Sequence, residues 1–285
     1  MSELRRRMDD DMLARGLADR TREAYLGAVM GLARFYRRSP DRISDDEVQT
    51  YLVHLIRERQ LAWSSCNIVL NGLRFFYHIT LKRNRTTFTI PSPRHSGKLP
   101  VVLSPDEVQC LISHATNLRY CTMLLTTYAA GLRLTEVLHL QVHDIDSARM
   151  TIRVVQGKGG KDRYTLLSTR LLEALRAYWR VERPRAWLFP ARQTPARPMD
   201  PSCLQKAYQR AKSRAGITKP GGIHTLRHCF ATHFLEAGVD LHTIQRLLGH
   251  GHLTTTTRYF QLTRHTQVAP GSPLDLLDRL ASSQP

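Results

Sequence analysis

Two arginines, two histidines, a lysine and a tyrosine lie between residues 133 and 259 of this 285-residue chain in an order that could move a phosphoryl group without a metal ion. Residues 224–259 hold most of them: His224-Thr225-Leu226-Arg227, then Leu247-Leu248-Gly249-His250, then Tyr259, at spacings of three, twenty-three and nine. Arg133 in Gly131-Leu132-Arg133-Leu134-Thr135-Glu136 and Lys158 in Gly157-Lys158-Gly159-Gly160-Lys161-Asp162-Arg163 complete the set. None of these residues is needed merely to build a helix.

Tyr259 is the candidate nucleophile. A free phenol has a pKa near 10, so ionising it at neutral pH costs about 4 kcal/mol, which nearby cations would recover. Its attack on a DNA phosphate exchanges one phosphodiester for another, so the strand can be resealed without ATP. Arg133 and Arg227 suit the two non-bridging oxygens of the phosphate, because the guanidinium fork meets them bidentately. Glu136, three residues after Arg133, reads as its orienter. His224 shares a helical face with Arg227, and His224 or His250 can take the tyrosyl proton or donate to a phosphate oxygen. Lys158, on a glycine-rich tip, can reach a leaving 5′ oxygen as general acid, with Lys161 and Arg163 as phosphate contacts.

Each residue taken singly has a blander reading. A tyrosine near a helix usually packs, and Arg133 with Glu136 could be a surface ion pair worth under about 1 kcal/mol. The lysine stretch does not fit a nucleotide-binding GxxxxGK[ST] loop. Histidines crowd residues 224–252, yet a zinc helix would want His-Glu-x-x-His, so no metal is assigned. The combination, in this order, outweighs the single residues.

These side chains need elements to hold them. Residues 1–83 read as helical: Tyr25, Val29, Leu32 and Tyr36 form one stripe, and Val69, Leu73 and Phe76 another. Ser44 with Glu47 forms a capping box ahead of Val48, Leu52, Leu55 and Ile56. Between the stripes lie Arg20, Arg22, Arg34, Arg37, Arg38, Arg57, Arg59, Arg74, Lys82 and Arg83, either a solvated face or one pressed onto phosphates, with Arg34 and Arg74 as candidate DNA contacts. Residues 84–100, with three prolines and no periodicity, read as a linker. Ser104-Pro105-Asp106-Glu107 opens a helix with Val108, Leu111, Ile112 and Ala115 on its buried face. A mostly apolar helix at 120–130 stops at Gly131, and another is expected from Thr135 to His143. Period two over 149–167 gives a β-hairpin with the glycine-rich tip. Helices follow at 169–180 and 201–214, and residues 224–263 read as three short helices, the first ending at Gly238, the second capped by Asp240 and the third carrying Tyr259.

The formal net charge of +18 calls for a polyanionic partner, either nucleic acid or an anionic membrane. No apolar run approaches a membrane span, and the five scattered cysteines suggest neither a disulfide framework nor a zinc knuckle. A bacterial cytoplasmic, nucleoid-associated protein is expected.

In order, Arg133, Lys158, His224, Arg227, His250 and Tyr259 match the six catalytic positions of the tyrosine recombinases, and the chain resembles this phage-integrase family over roughly residues 10–270. The resemblance implies a mainly α fold with a small antiparallel β-sheet. Its parts would be a helical core-binding domain (1–83), a linker (84–100), a mostly helical catalytic domain (101–270) and a C-terminal tail (271–285). It also implies a site-specific recombinase or integrase that cleaves one strand per subunit through a covalent 3′-phosphotyrosine, without metal, ATP or cofactor. The partners implied are double-stranded DNA with inverted-repeat core sites and three further copies of the chain, a tetramer on DNA formed from monomers. Residues 224–250 and Ser272-Pro273-Leu274-Asp275-Leu276-Leu277 look like integron- and transposon-associated integrases, although residues 191–223 are short for the extra helix of integron integrases, and Tyr259-Phe260 departs from the commoner Tyr-Thr-His. Leu274, Leu277 and Leu280 could dock on a neighbouring subunit or on their own domain. The rivals are a type IB topoisomerase-like relaxing enzyme and a catalytically silent DNA-binding regulator.

Overall fold

The computed structural model describes residues 2–83, 87–90, 100–155 and 162–249. The chain divides into two compact units, Met1–Gly97 and Lys98–Pro285.

The first unit is a helical bundle of α1 (Glu3–Ala14), α2 (Asp19–Tyr36), α3 (Asp45–Arg57) and α4 (Trp63–Phe75), the last running into a π-helical turn over Phe76–Thr80. The stripe expected on α2 faces inward: Val29 and Leu32 are buried, with Tyr25 and Tyr36 half-buried. The capping box of α3 is present, with the Glu47 N–H donating to Ser44 Oγ and the Ser44 N–H to Glu47 Oε2. Gly72 lets α4 lie close to α2, since a Cβ there would sit 3.0 Å from the Tyr25 Cα. Met8, Met12, Leu32, Leu52, Leu73 and Phe76 form the centre of the core.

Two expectations need correction in this unit. Residues 87–90 belong to the bundle and not to the linker. Phe88 and Ile90 alternate into its core, and the Thr87 and Thr89 N–H groups donate to Asp45 and Gln49 side chains. Nor is every basic residue part of a solvent-facing surface. Arg22 is half-buried and pairs with Asp19 and Asp9. Arg83 donates to the Asp41 and Ile43 carbonyls and lies 4.4 Å from the Tyr77 ring centroid. Arg20, Arg34, Arg37, Arg57, Arg59 and Lys82 are exposed; Arg74 is half-buried and donates to the Phe88 carbonyl at 3.4 Å.

The second unit is built from α5 (Pro105–Ser113), α6 (Leu118–Ala129), α7 (Leu134–Leu138), β1 (Ile145–Asp146), β2 (Thr151–Val154), β3 (Arg163–Leu166), α8 (Thr169–Glu182), α9 (Pro201–Arg214), α10 (His224–Glu236) and α11 (Leu241–Leu248). The expected helix from Thr135 to His143 ends at Leu138. Beyond it the chain extends to pair with the loop before α9: Leu188 N–H donates to the Leu140 carbonyl and Val142 N–H to that of Ala186. The Asp144 carboxylate caps the Gln141 N–H in the short 3-10 turn that follows. The hairpin is present as β2 and β3, antiparallel with Thr151 opposite Leu166 and Val154 opposite Arg163. An unanticipated short strand, β1, extends it to a three-stranded sheet in the order β1-β2-β3. Ile152 and Val154 are buried and Arg153 is exposed, as period two requires.

A core including Leu111, Met123, Val137, Ile152, Leu175 and Leu226 joins the sheet to the helices. Along its length α10 is buried at Thr225, Leu226, Arg227, Cys229, Phe230, Ala231 and Thr232. A helix enclosed on so many sides is a rigid base for whatever its first turn carries. Among the described residues no helix is long and apolar enough to cross a membrane.

Candidate active site

The chain leaves α6 through Gly131, whose φ of +62° is left-handed. A side chain there would also strike the Phe230 ring at 2.7 Å, so glycine is required twice over. Arg133 then caps α7. Its own N–H donates to Glu136 Oε2 at 2.7 Å and its Nη1 to Glu136 Oε1 at 2.6 Å. Glu136 therefore orients Arg133 through both backbone and side chain.

Arg227 sits one turn into α10, with its side chain 5% exposed. Nη1 donates to the Gly131 carbonyl and Nη2 to the Leu248 carbonyl, both at 2.6 Å, while Nη1 lies 3.6 Å from Glu136 Oε2. His224 opens the same helix one turn earlier and keeps an exposed edge. Enclosure of the rest of the ring, with the Arg227 and Arg133 charges, lowers its pKa against a smaller opposing pull from Glu136. That shift favours the neutral imidazole, the form able to accept a proton.

Arg163, at the start of β3, turns its side chain inward, where it is 10% exposed. Its Nη1 and Nη2 grip Glu136 Oε1 and Oε2 at 2.7 and 2.8 Å, a two-pronged pair, and its Nε donates to the Leu247 carbonyl at 2.9 Å. Arg133 Nη2 approaches the Gly249 carbonyl at 3.5 Å. Three successive carbonyls at the end of α11 (Leu247, Leu248 and Gly249) thus each face a different arginine. Those carbonyls lack helical partners and carry the negative end of the helix dipole, so cations are their natural complement. Gly249 closes α11 at φ +64°, and a Cβ on it would lie 2.7 Å from Arg163 Cδ.

Glu136 is the hub of this cluster. Burial raises its pKa, but the hydrogen bonds and charge of Arg163, the Arg133 N–H and the Arg227 charge outweigh that and bring it down to about 2. Three guanidiniums around one carboxylate leave a net charge of +2. Such a site can hold an anion without reorganising.

The sequence matches the phage integrase family over residues 101–265 and that family's N-terminal SAM-like domain over residues 4–87. The Sinorhizobium fredii protein y4qK, which carries the name of an integrase/recombinase, is 43% identical over all of this chain and 92% of its own length. The chain belongs to the phage integrase family. Within that family of tyrosine recombinases, XerD of Staphylococcus aureus is 31% identical over 79% of this chain and 80% of its own length. In architecture the chain is similar to a lambda integrase tetramer bound to a Holliday junction (TM-score 0.69, 17% identity, covering 89% of this chain and 75% of that one).

Of the six family positions read from the sequence, the structure brings Arg133, His224 and Arg227 into one cluster with Glu136. Lys158, His250 and Tyr259 lie outside the described residues, as do Lys161 and the tail 271–285. The part played by Gly131, Gly249 and the carbonyls at the end of α11 went unread. A glycine just before each of Leu132-Arg133 and His250, at the end of a helical pattern, was the available signal.

Proposed function

We propose that this tyrosine recombinase cleaves and rejoins specific DNA sites through a 3′-phosphotyrosine, with Tyr259 as nucleophile. The Tyr259 oxygen forms a bond to phosphorus as the bond to the 5′ oxygen breaks. The phenolic proton passes to His224 or His250, and Lys158 protonates the departing 5′ oxygen. Arg133 and Arg227 neutralise the two non-bridging oxygens. The reverse sequence, with a 5′ hydroxyl from another strand as attacker, completes strand exchange, so no ATP is consumed.

The observation that carries this reading is the tethering of Arg133 and Arg227 to one carboxylate and to the carbonyls on either side of the site. Each nitrogen of a guanidinium's two prongs bears two N–H bonds. The bonds to protein therefore fix where those N–H groups point. Further support comes from the lambda integrase likeness for a tetramer on DNA, here on inverted-repeat core sites and assembled from monomers. The net charge of +18 favours DNA as partner and the bacterial cytoplasm, at the nucleoid, as the place of action.

A nicked suicide duplex tests the proposal. Cleavage releases a short fragment and traps the covalent intermediate. The wild type should leave a tyrosyl-DNA adduct, and Tyr259→Phe should leave none. Full cleavage by Tyr259→Phe would remove the nucleophile assigned here.

A further inference from the structure

We propose that Arg163 is a positioning residue: it holds Glu136, and through it Arg133, in place against the end of α11, and makes no contact with DNA. The inference rests on the reading that Arg133 clamps the scissile phosphate. It assigns a task to a residue that the sequence alone places among the phosphate contacts.

Three observations converge on it. First, each of its three nitrogens already holds a protein oxygen. Nε is bonded to the Leu247 carbonyl and both Nη atoms to Glu136, so that one planar group joins β3, α7 and the end of α11. Second, the side chain is enclosed. It is 10% exposed, and the chain at Gly249 passes so close that a Cβ there would collide with Arg163 Cδ. Third, Arg163 shares its partner with a clamp residue. Glu136 Oε1 accepts from both Arg163 Nη1 and Arg133 Nη1, so the fork that fixes the plane of the carboxylate also fixes where Arg133 points. Lysine keeps the charge but cannot span two carboxylate oxygens and a carbonyl at once. To reach a phosphate instead, Arg163 would have to abandon a buried carboxylate that is already ionised.

The experiment compares the full chain with R163K, R163M, E136Q and the double variant R163M/E136Q. Binding to a single site is measured across a salt series, and adduct formation is measured on the nicked suicide duplex from pH 8 to pH 5. R163K and R163M should bind with the wild-type salt slope while adduct formation falls about 10²-fold, the size of effect seen when a preorganised donor is lost. The double variant should be no slower than the slower single variant, because both changes act on one unit. The ratio of wild-type to R163M rate should grow as the pH falls. Glu136, without its two-pronged partner and facing only Arg133, Arg227 and His224, would protonate more readily.

A salt slope reduced by about 0.9 in R163M, which removes the charge, would mark a phosphate contact and overturn the proposal. So would an unchanged rate in R163K, or a ratio that is flat with pH, which a merely scaffolding residue would give. Should R163M fail to fold, R163Q, which also removes the charge, carries the slope comparison and R163K the rate comparison. No adduct from the wild type would sink the underlying mechanism. A wild-type adduct matched by R163K would sink this inference alone.

Discussion

The arginines clustered at Glu136 in the second unit and the exposed arginines of the first unit differ in kind. In the second unit, the side chains of Arg133, Arg163 and Arg227 are 18%, 10% and 5% exposed, and every one is bonded to carboxylate or carbonyl oxygens. In the first unit Arg20, Arg34, Arg37, Arg57 and Arg59 are exposed on the bundle surface. The excess of 42 basic over 24 acidic residues is therefore not one property. Exposed guanidiniums on long stems attract a polyanion from a distance and can exchange partners. Enclosed ones have lost that freedom, and what they offer in return is direction, since they need no rearrangement when charge gathers on a phosphate.

If that contrast is real, the largest effect follows from removing an enclosed arginine. Arg227→Ala should abolish measurable adduct formation, a loss of at least about 10³-fold. It should also destabilise the fold by about 3–5 kcal/mol, because the Gly131 and Leu248 carbonyls and Glu136 lose a buried partner. Adduct trapping and thermal unfolding measure the two. An Arg227→Ala enzyme of normal stability would mean that the cluster is less tightly built than its bond lengths indicate.

Next in size is Glu136→Gln, which removes the shared anion and leaves three cations around a neutral amide. Adduct formation should fall about 10²-fold. The pH dependence gives a separate check. The Glu136 pKa lies at about 2 when folded and 4.5 when unperturbed, so the carboxylate contributes stability fully above about pH 4.5 and loses it as the pH falls towards 2. The wild type should lose about 3 kcal/mol more stability than Glu136→Gln across that window. Equal acid sensitivity in the two proteins, read from denaturant midpoints, would show that the carboxylate is not held as described.

These enclosed residues also show how far the sequence could be read. The α3 capping box, the hairpin and the α2 stripe were visible because each is a local pattern with a local cause. Glu136 as orienter of Arg133 was visible for the same reason, being three residues away on one turn. The inward direction of the Arg163 side chain was not read, though a signal was present. Period two puts Arg163 on the same face as Thr165 and Leu167, which are buried, and opposite exposed Tyr164 and Leu166. A basic Lys-Asp-Arg run beside a glycine-rich tip drew attention to charge instead of to strand phase. The early end of α7 and the inclusion of Phe88 and Ile90 in the bundle were harder to read. Both depend on partners about 40 residues away: Asp45 and Gln49 for one, the 186–188 loop for the other.

Smaller effects belong to the exposed face. Arg34→Ala should leave unfolding unchanged and weaken binding to a single site, with the magnitude of the log–log salt slope falling by about 0.9 if Arg34 neutralises one phosphate. The adduct rate at saturating enzyme should stay within about twofold of wild type. A rate loss at saturation would place Arg34 with the directed arginines and erase the contrast between the units.

Arg74 is the sharpest test because it stands between the two classes. It is half-buried, and its one bond described here, Nη2 to the Phe88 carbonyl, is long at 3.4 Å. A bond of that length to a carbonyl contributes at most about 1 kcal/mol, so Arg74→Ala should lower the unfolding free energy by no more than that. If the rest of the guanidinium meets DNA, the salt slope should shrink as for Arg34. A loss above about 2 kcal/mol with an unchanged slope would instead group Arg74 with Arg83, which ties the Asp41 and Ile43 carbonyls to the bundle. The candidate DNA face would then lose one of its two named contacts, and exposure, not the mere presence of a basic side chain, would be the property that defines it.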